Sequence, residues 1–352
     1  MRKNTWILSG LLAFSLLGAV SLSNLNSAQA ATTTTTTIKS DQQTDKVVKA
    51  ANAFLATLSG TQKSKVLFAW DNATQRKQWS NFPTGIFQRN GIKWGDLSEA
   101  QRTALMNLLG SVLSEQGLTM VKQQMQADEV LKSTDGGGRL VFGDAEYYVS
   151  FVGTPSSTSP WTLQFGGHHL ALNATVVGSN ITLAPSLTGG QPVRYTSNGQ
   201  KVEVVGQEVK DAFAMVNGLS SSQKAKAVIS TRSMDLVLGP GQDGKTLQPE
   251  GLKGSELTDA QKTQFLALIQ DRLGALNAND LAEKMTTIKA NLNNTYFAWY
   301  GPTTSGSAAY YRVTGPTVVI EFSPQSMGGD ATNHIHSMYR DPTNDYGSNW
   351  TK

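Results

Sequence analysis

The chain of 352 residues has only four histidines, and they fall in two short polar stretches. His168 and His169 are adjacent in "GGHHLALN" (Gly166 to Asn173), and His334 and His336 open "NHIHSMYRDPTNDYG" (Asn333 to Gly347). Neutral imidazole is the commonest metal ligand in proteins. On an extended backbone H-x-H turns both rings to one face, because strands have a period of two. That spacing suits two ligands of one metal, and equally two hydrogen-bonded or exposed histidines. Adjacent histidines on a regular strand point to opposite faces, so His168 and His169 reach one site only if the chain kinks. Gly166 and Gly167 allow this through a positive φ or a bulge. Without the kink, one ring faces the site and the other makes structural hydrogen bonds.

Three further residues could share this chemistry. Glu321 interrupts the apolar run "VVIEFSP". Facing solvent it is an ordinary strand residue; buried, it needs a partner, a metal or a raised pKa, and it could then serve as metal ligand or general base. In "YRDPTNDYG" the residues Arg340 and Asp341 either belong to a turn network or act in the site. There Arg340 would hold an anionic group of a substrate and Asp341 would orient a histidine. Three or four histidines with a carboxylate suit a divalent transition metal, zinc first, with copper, manganese or iron fitting the same donors. No cysteine is present, so thiolate ligands are excluded. Trp79, Trp299 and Tyr300 either line a pocket or pack. The sequence has no G-x-S-x-G elbow, phosphate loop, dinucleotide fingerprint or H-E-x-x-H motif.

The elements that must position these residues read as two similar series. "LSGTQKSKV" (from Leu58) returns as "LSSSQKAKAV" (from Leu219), and "GDLSEAQRTALMNLLGSVL" (from Gly95) as "GSELTDAQKTQFLALIQDRL" (from Gly254). "EYYVSFVG" (from Glu146) resembles "AYYRVTG" (from Ala309), and "WTLQF" (from Trp161) lines up with "VVIEF" (from Val318). The order is kept, which points to an internal duplication. Ser98 with Gln101, and Thr258 with Gln261, form capping boxes that start helices. Leu105, Leu108, Leu109 and Val112 follow at helical spacing, as do Phe265, Leu266, Ile269 and Leu273; Thr44 to Leu58 is helical in pattern too. Short aromatic and β-branched runs come after each helical block. The expected fold is therefore α+β, with two helix-then-strand halves, 44–200 and 205–352, packed about a pseudo-twofold axis. The strand matches place the two histidine pairs at corresponding positions, so that they would meet at the junction, where pockets concentrate.

Residues 1–30 read as a secretory signal peptide: a basic start, an apolar core and the small-residue pattern Ala28-Gln29-Ala30. Residues 31–43 read as a flexible, threonine-rich leader. The expected location is secreted or periplasmic, after cleavage near Ala30. No later stretch is apolar enough to span a membrane. The 30 basic and 26 acidic residues are interspersed, with no basic-aromatic stripe for nucleic acid. A chain of this length buries a large core without disulfides.

"FGGHHLALN", "VVIEFSPQ" and "NHIHSMYRDPTNDYG", with "NATQRKQWSNFP" (Asn72 to Pro83), resemble the exported bacterial proteins grouped as domain-of-unknown-function family 3500. The resemblance spans most of the chain and implies no particular activity. The residues themselves lead to a secreted metal-dependent hydrolase acting on a small-molecule or peptide substrate with an anionic group. Its metal would be held by His168, His169, His334, His336 and Glu321. The alternatives are a non-catalytic metal- or ligand-binding protein, or a structural histidine network with function elsewhere. Convergence of the four rings separates the first two from the last.

Overall fold

Four S/T-x-x-Q capping boxes set the helical framework: the two expected ones, and two more at Ser59–Gln62 and Ser220–Gln223. The boxes are linked in pairs, Gln101 donating to Gln62 at 3.0 Å and Gln261 to Gln223 at 2.9 Å. The computed structural model describes residues 39–135 and 138–351; the expected signal peptide and most of the leader lie outside them. Asp41 caps the first described helix by accepting from the Thr44 amide at 2.7 Å, so residues 42 and 43, placed in the expected leader, are helical.

In chain order, α1 (Gln42–Ala56), α2 (Gly60–Val66), β1 (Leu67–Phe68), α3 (Ala73–Arg76), β2 (Ile92–Lys93), α4 (Glu99–Val112) and α5 (Glu115–Asp135) come first. The strands β3 (Tyr148–Val152), β4 (Trp161–Gly167), β5 (Leu170–Val177), β6 (Asn180–Thr182), β7 (Ser186–Gly190), β8 (Arg194–Ser197) and β9 (Gln200–Glu203) follow. A second series then runs α6 (Gly206–Asn217), α7 (Ser221–Ala227), β10 (Val228–Ser230), β11 (Leu252–Lys253), α8 (Asp259–Leu273) and α9 (Ala278–Ala290). It ends with β12 (Tyr296–Tyr300), β13 (Tyr310–Thr314), β14 (Val319–Pro324) and β15 (Ile335–Arg340). The α+β class is as expected. No described helix is long and apolar enough to cross a membrane.

All strands except the β8–β9 hairpin join one sheet, whose main path is β1-β3-β4-β5-β7-β15-β14-β13-β12-β10. Pairing along it is antiparallel except at its two ends, where β1 runs parallel to β3 and β10 to β12. One sheet face is apolar. Phe151, Leu163, Phe165 and Leu172 belong to one core cluster with residues of α1, α4 and α5, and Phe297, Trp299, Tyr311 and Ile320 to another with residues of α6 and α8. The opposite face carries Ser150, Gln164, Asn173, His336, Arg340, Glu321 and Arg312 in alternate positions. It is buried nonetheless, under the two long connections 69–91 and 231–251, which supply the partners that buried polar groups require. Gln75 donates to Gln164 at 2.9 Å, Gln164 to Asn173 at 3.0 Å, and Asn173 to the Pro185 carbonyl at 2.9 Å.

The sheet order gives a second way to compare the two series. Counted inward from the two edges, β3 has β12 as its counterpart, β4 has β13, β5 has β14 and β7 has β15. "EYYVSFVG" lies in β3 and "AYYRVTG" in β13, and "WTLQF" in β4 and "VVIEF" in β14, so the sequence matches and the sheet count pair the strands differently. Glu321 pairs with Arg312 across β13–β14, and Asn173 pairs with Gln164 across β4–β5. His168 and His169 form the β4–β5 turn, and His334 and His336 lie at the start of β15.

Candidate metal centre

The histidines meet because of register. Ala171 of β5 lies opposite Leu187 of β7, which lies opposite Met338 of β15. Two residues along, His169 stands just before β5 and His336 lies opposite Gly189. A Cβ there would collide with the Ile335 carbonyl, so the close approach of β15 itself demands glycine. His168 and His169 are the whole turn between Gly167 and Leu170. The expected kink is real but lies in His169, at φ 60°, and not in the glycines, which stay in β4. The glycines serve close packing instead: a Cβ on Gly167 would sit 2.8 Å from the Tyr147 ring. Tyr147 donates its hydroxyl to the His168 carbonyl at 2.8 Å, and the His169 amide donates to the Asn81 carbonyl at 3.2 Å. These bonds hold a left-handed conformation that costs a non-glycine residue about 1–2 kcal/mol.

The rings converge. Centroids lie 3.7 Å apart for His168–His169, 4.8 Å for His169–His334, 5.0 Å for His169–His336 and 5.1 Å for His334–His336. One nitrogen from each of His169, His334 and His336 falls within 4.8 Å of the other two, and all three residues are buried. This triad can hold a metal ion. His334 Nδ1 lies 2.7 Å from the Met327 carbonyl. A carbonyl only accepts, so Nδ1 carries the hydrogen and Nε2 keeps a lone pair in the neutral ring. That Nε2 lies 2.9 Å from His169 Nε2. Two imidazole nitrogens on one tetrahedral zinc sit about 3.3 Å apart, so this pair needs only a small outward shift to share an ion. Burial holds the His169 imidazolium well below its usual pKa, with the other three histidines adding to the effect. Burial, then His334 and His168, push His336 down to about 3, and His334 is lowered by burial as well. The triad is neutral at pH 7, the state a ligand needs.

His168 flanks the triad rather than completing it. Its Nδ1 is 2.7 Å from Asp128 Oδ1, and the other Asp128 oxygen accepts from the Gly143 amide at 2.9 Å. The Phe142 ring covers it at 5.2 Å. Two neighbours of the histidines were missed in the sequence. Asp128 gives a signal: with Val121, Gln124, Met125 and Leu131 it sits at helical spacing on the buried stripe of α5, where a carboxylate needs a partner. Asn81 gives none; its Nδ2 lies 3.1 Å from His336 Nε2 and 3.4 Å from Nδ1.

The expected carboxylate and arginine sit elsewhere on the sheet face. Glu321 does not join the histidines. Its two oxygens accept from the amides of Val237 and Leu238 at 2.8 and 2.7 Å, and Oε1 also accepts from the Tyr310 hydroxyl at 2.7 Å. These bonds tie down the 231–251 connection. Arg340 is not free to hold a substrate anion: it pairs with Asp243 at 3.0 Å and Asp345 at 2.8 Å, and Nε donates to the Leu238 carbonyl at 2.9 Å. Asp341 orients no histidine, since it pairs with Lys284 and accepts from Thr343. Trp79 packs with Ala171, Leu187 and Met338, Trp299 is in the second core cluster, and the Tyr300 hydroxyl bonds Glu250.

A profile of the family described as "protein of unknown function (DUF3500)" matches residues 40–348. The chain belongs to this family. The match takes in both helical series, the sheet and every residue of the histidine site. No curated protein and no solved structure matches the chain.

Proposed function

We propose that this DUF3500 protein is an exported metal-binding protein, with His169, His334 and His336 as ligands, and that it is a metal-dependent hydrolase. The observation that carries the reading is the convergence of three neutral imidazoles within 4.8 Å. Three protein ligands are the donor set of catalytic zinc sites, which keep a position open, whereas structural zinc sites close with four. A divalent ion there supplies Lewis acidity. The protein's part is to hold the ligands by register and to place the His168–Asp128 pair beside them, where its geometry suits proton transfer. This pair takes over the role expected of Glu321. Metal analysis of protein purified without chelator, with zinc titration of the stripped protein, tests the reading. Uptake of one equivalent, lost in His336→Ala, is expected; a stripped protein indifferent to zinc, copper, manganese and iron ends it. Asp128→Asn then separates catalysis from storage, since it should keep the metal and lose turnover.

A second reading, binding without turnover, is favoured by burial: none of the four histidines is more than 8% exposed. We also read the two halves, 44–200 and 205–352, as products of a duplication packed about a pseudo-twofold axis. The matching order of strands inward from the two sheet edges supports this. On that reading the site is an addition at the seam, since its ligands come from non-equivalent places.

A further inference from the structure

Among the described residues seven large apolar side chains are exposed: Leu67, Phe82, Ile86, Val141, Ile229, Val237 and Met327. Scattered exposed apolar residues are ordinary, but a group of them marks a binding surface. Four of the seven belong to segments that hold the histidines. Phe82, 49% exposed, follows Asn81, whose amide is 3.1 Å from His336. Val141, 44% exposed, precedes Phe142, whose ring covers His168. Met327, 77% exposed, gives its carbonyl to His334. Ile86, 56% exposed, is on the Phe82 segment, which is joined to the Val141 segment by the bond from the Val141 amide to the Thr84 carbonyl at 2.9 Å. Each segment therefore packs a group against a histidine, the Asn81 amide, the Phe142 ring or the Met327 carbonyl, and carries an exposed apolar side chain beside it.

From this arrangement we infer that the site takes small ligands with two parts: an oxygen donor for the metal and an apolar, preferably aromatic, body seated against Phe82, Ile86, Val141 and Met327. The inference rests on the metal-site reading and names its substrate class. The occupant is a small molecule because His334 and His336 are only 7% and 8% exposed. That opening admits a slim donor group and leaves the body at the rim. The rim replaces the anion recognition expected of Arg340, which is committed to Asp243 and Asp345.

Cobalt-loaded protein tests this, with visible absorption reporting both the metal and its ligands. Acetohydroxamate and benzohydroxamate are the probes, because they share one chelating group and differ in the apolar body. Benzohydroxamate should bind at least about tenfold more tightly, as expected for a phenyl ring leaving water. In the triple variant Phe82→Ser, Ile86→Ser, Val141→Ser the preference should fall to near parity, with cobalt and acetohydroxamate binding unchanged. Met327→Ser, a single change on a separate segment, should reduce the preference in part. Equal binding of the two probes to the parent protein, or a preference that survives the triple variant, overturns the inference while leaving the metal site standing. Failure to take up cobalt overturns the metal reading and the inference with it.

Discussion

At the residue scale, the histidines carry two opposed demands. Burial keeps them neutral, which suits metal ligation and makes the metal-free protein sensitive to acid. In the unfolded chain a histidine titrates near pH 6.5; in the folded protein His336 titrates near 3. Between these values only the unfolded state is protonated, so this contribution to stability is complete above pH 6.5 and is lost as pH falls toward 3. For His336 the loss is about 1.4 kcal/mol per pH unit across that window. Urea unfolding of chelator-treated protein at pH 7 and pH 5 should show the loss, and His336→Asn should make the slope shallower. Glu321 makes a contrasting case. Glu321→Gln removes a charged acceptor from two amides and a tyrosine hydroxyl, and should cost about 2 kcal/mol while zinc affinity stays unchanged in titration. If zinc binding fell with it, the separation of Glu321 from the site would be wrong. The histidines were legible as a site because they are rare and grouped. Glu321, Arg340 and Asp341 were legible as unusual but not as to purpose, because a buried charge looks the same in sequence whether its partner is a metal or a loop amide.

At the element scale, the turn and the seam decide the geometry. The α+β class, the capping boxes and the helical stripes were readable because a period of 3.6 and an S/T-x-x-Q start are local signals. Strand pairing was not: short aromatic runs such as "TYFAWYG" and "AYYRVTG" resemble one another, and only hydrogen-bond register sets β12 against β13. The seam yields a direct prediction. Gly189→Ala puts a methyl group into the Ile335 carbonyl. It should cost roughly 1–3 kcal/mol and weaken zinc binding, because β15 carries His336 away as it shifts. Chemical denaturation and zinc titration of the variant read the two effects separately; full zinc affinity in a destabilised protein would show that the register is not what sets the site.

At the scale of the whole molecule, the ligands bridge distant parts of the chain. His169 and His334 are 165 positions apart, yet their nitrogens are 2.9 Å apart. An ion bound there ties the β4–β5 turn to the last strand, so it should stabilise the protein as a whole. With zinc at a hundred times its dissociation constant the gain is about 2.7 kcal/mol. Calorimetry should show one transition moving up with zinc concentration, and His334→Ala should abolish the movement. A shift confined to part of the unfolding profile would mean that separate parts of the chain melt independently.

The place of β15 in the sheet has a consequence for timing. Of the described strands β15 is made last, and it adds to β7 and β14 at the middle of a sheet whose other half was synthesised much earlier. A ribosome-bound chain shows His168 and His169 to the surrounding metal pool long before His334 exists. The complete triad appears only when the final strand is inserted between its neighbours. On the proposed metal-binding reading, metal selection is thereby deferred until β15 is in place.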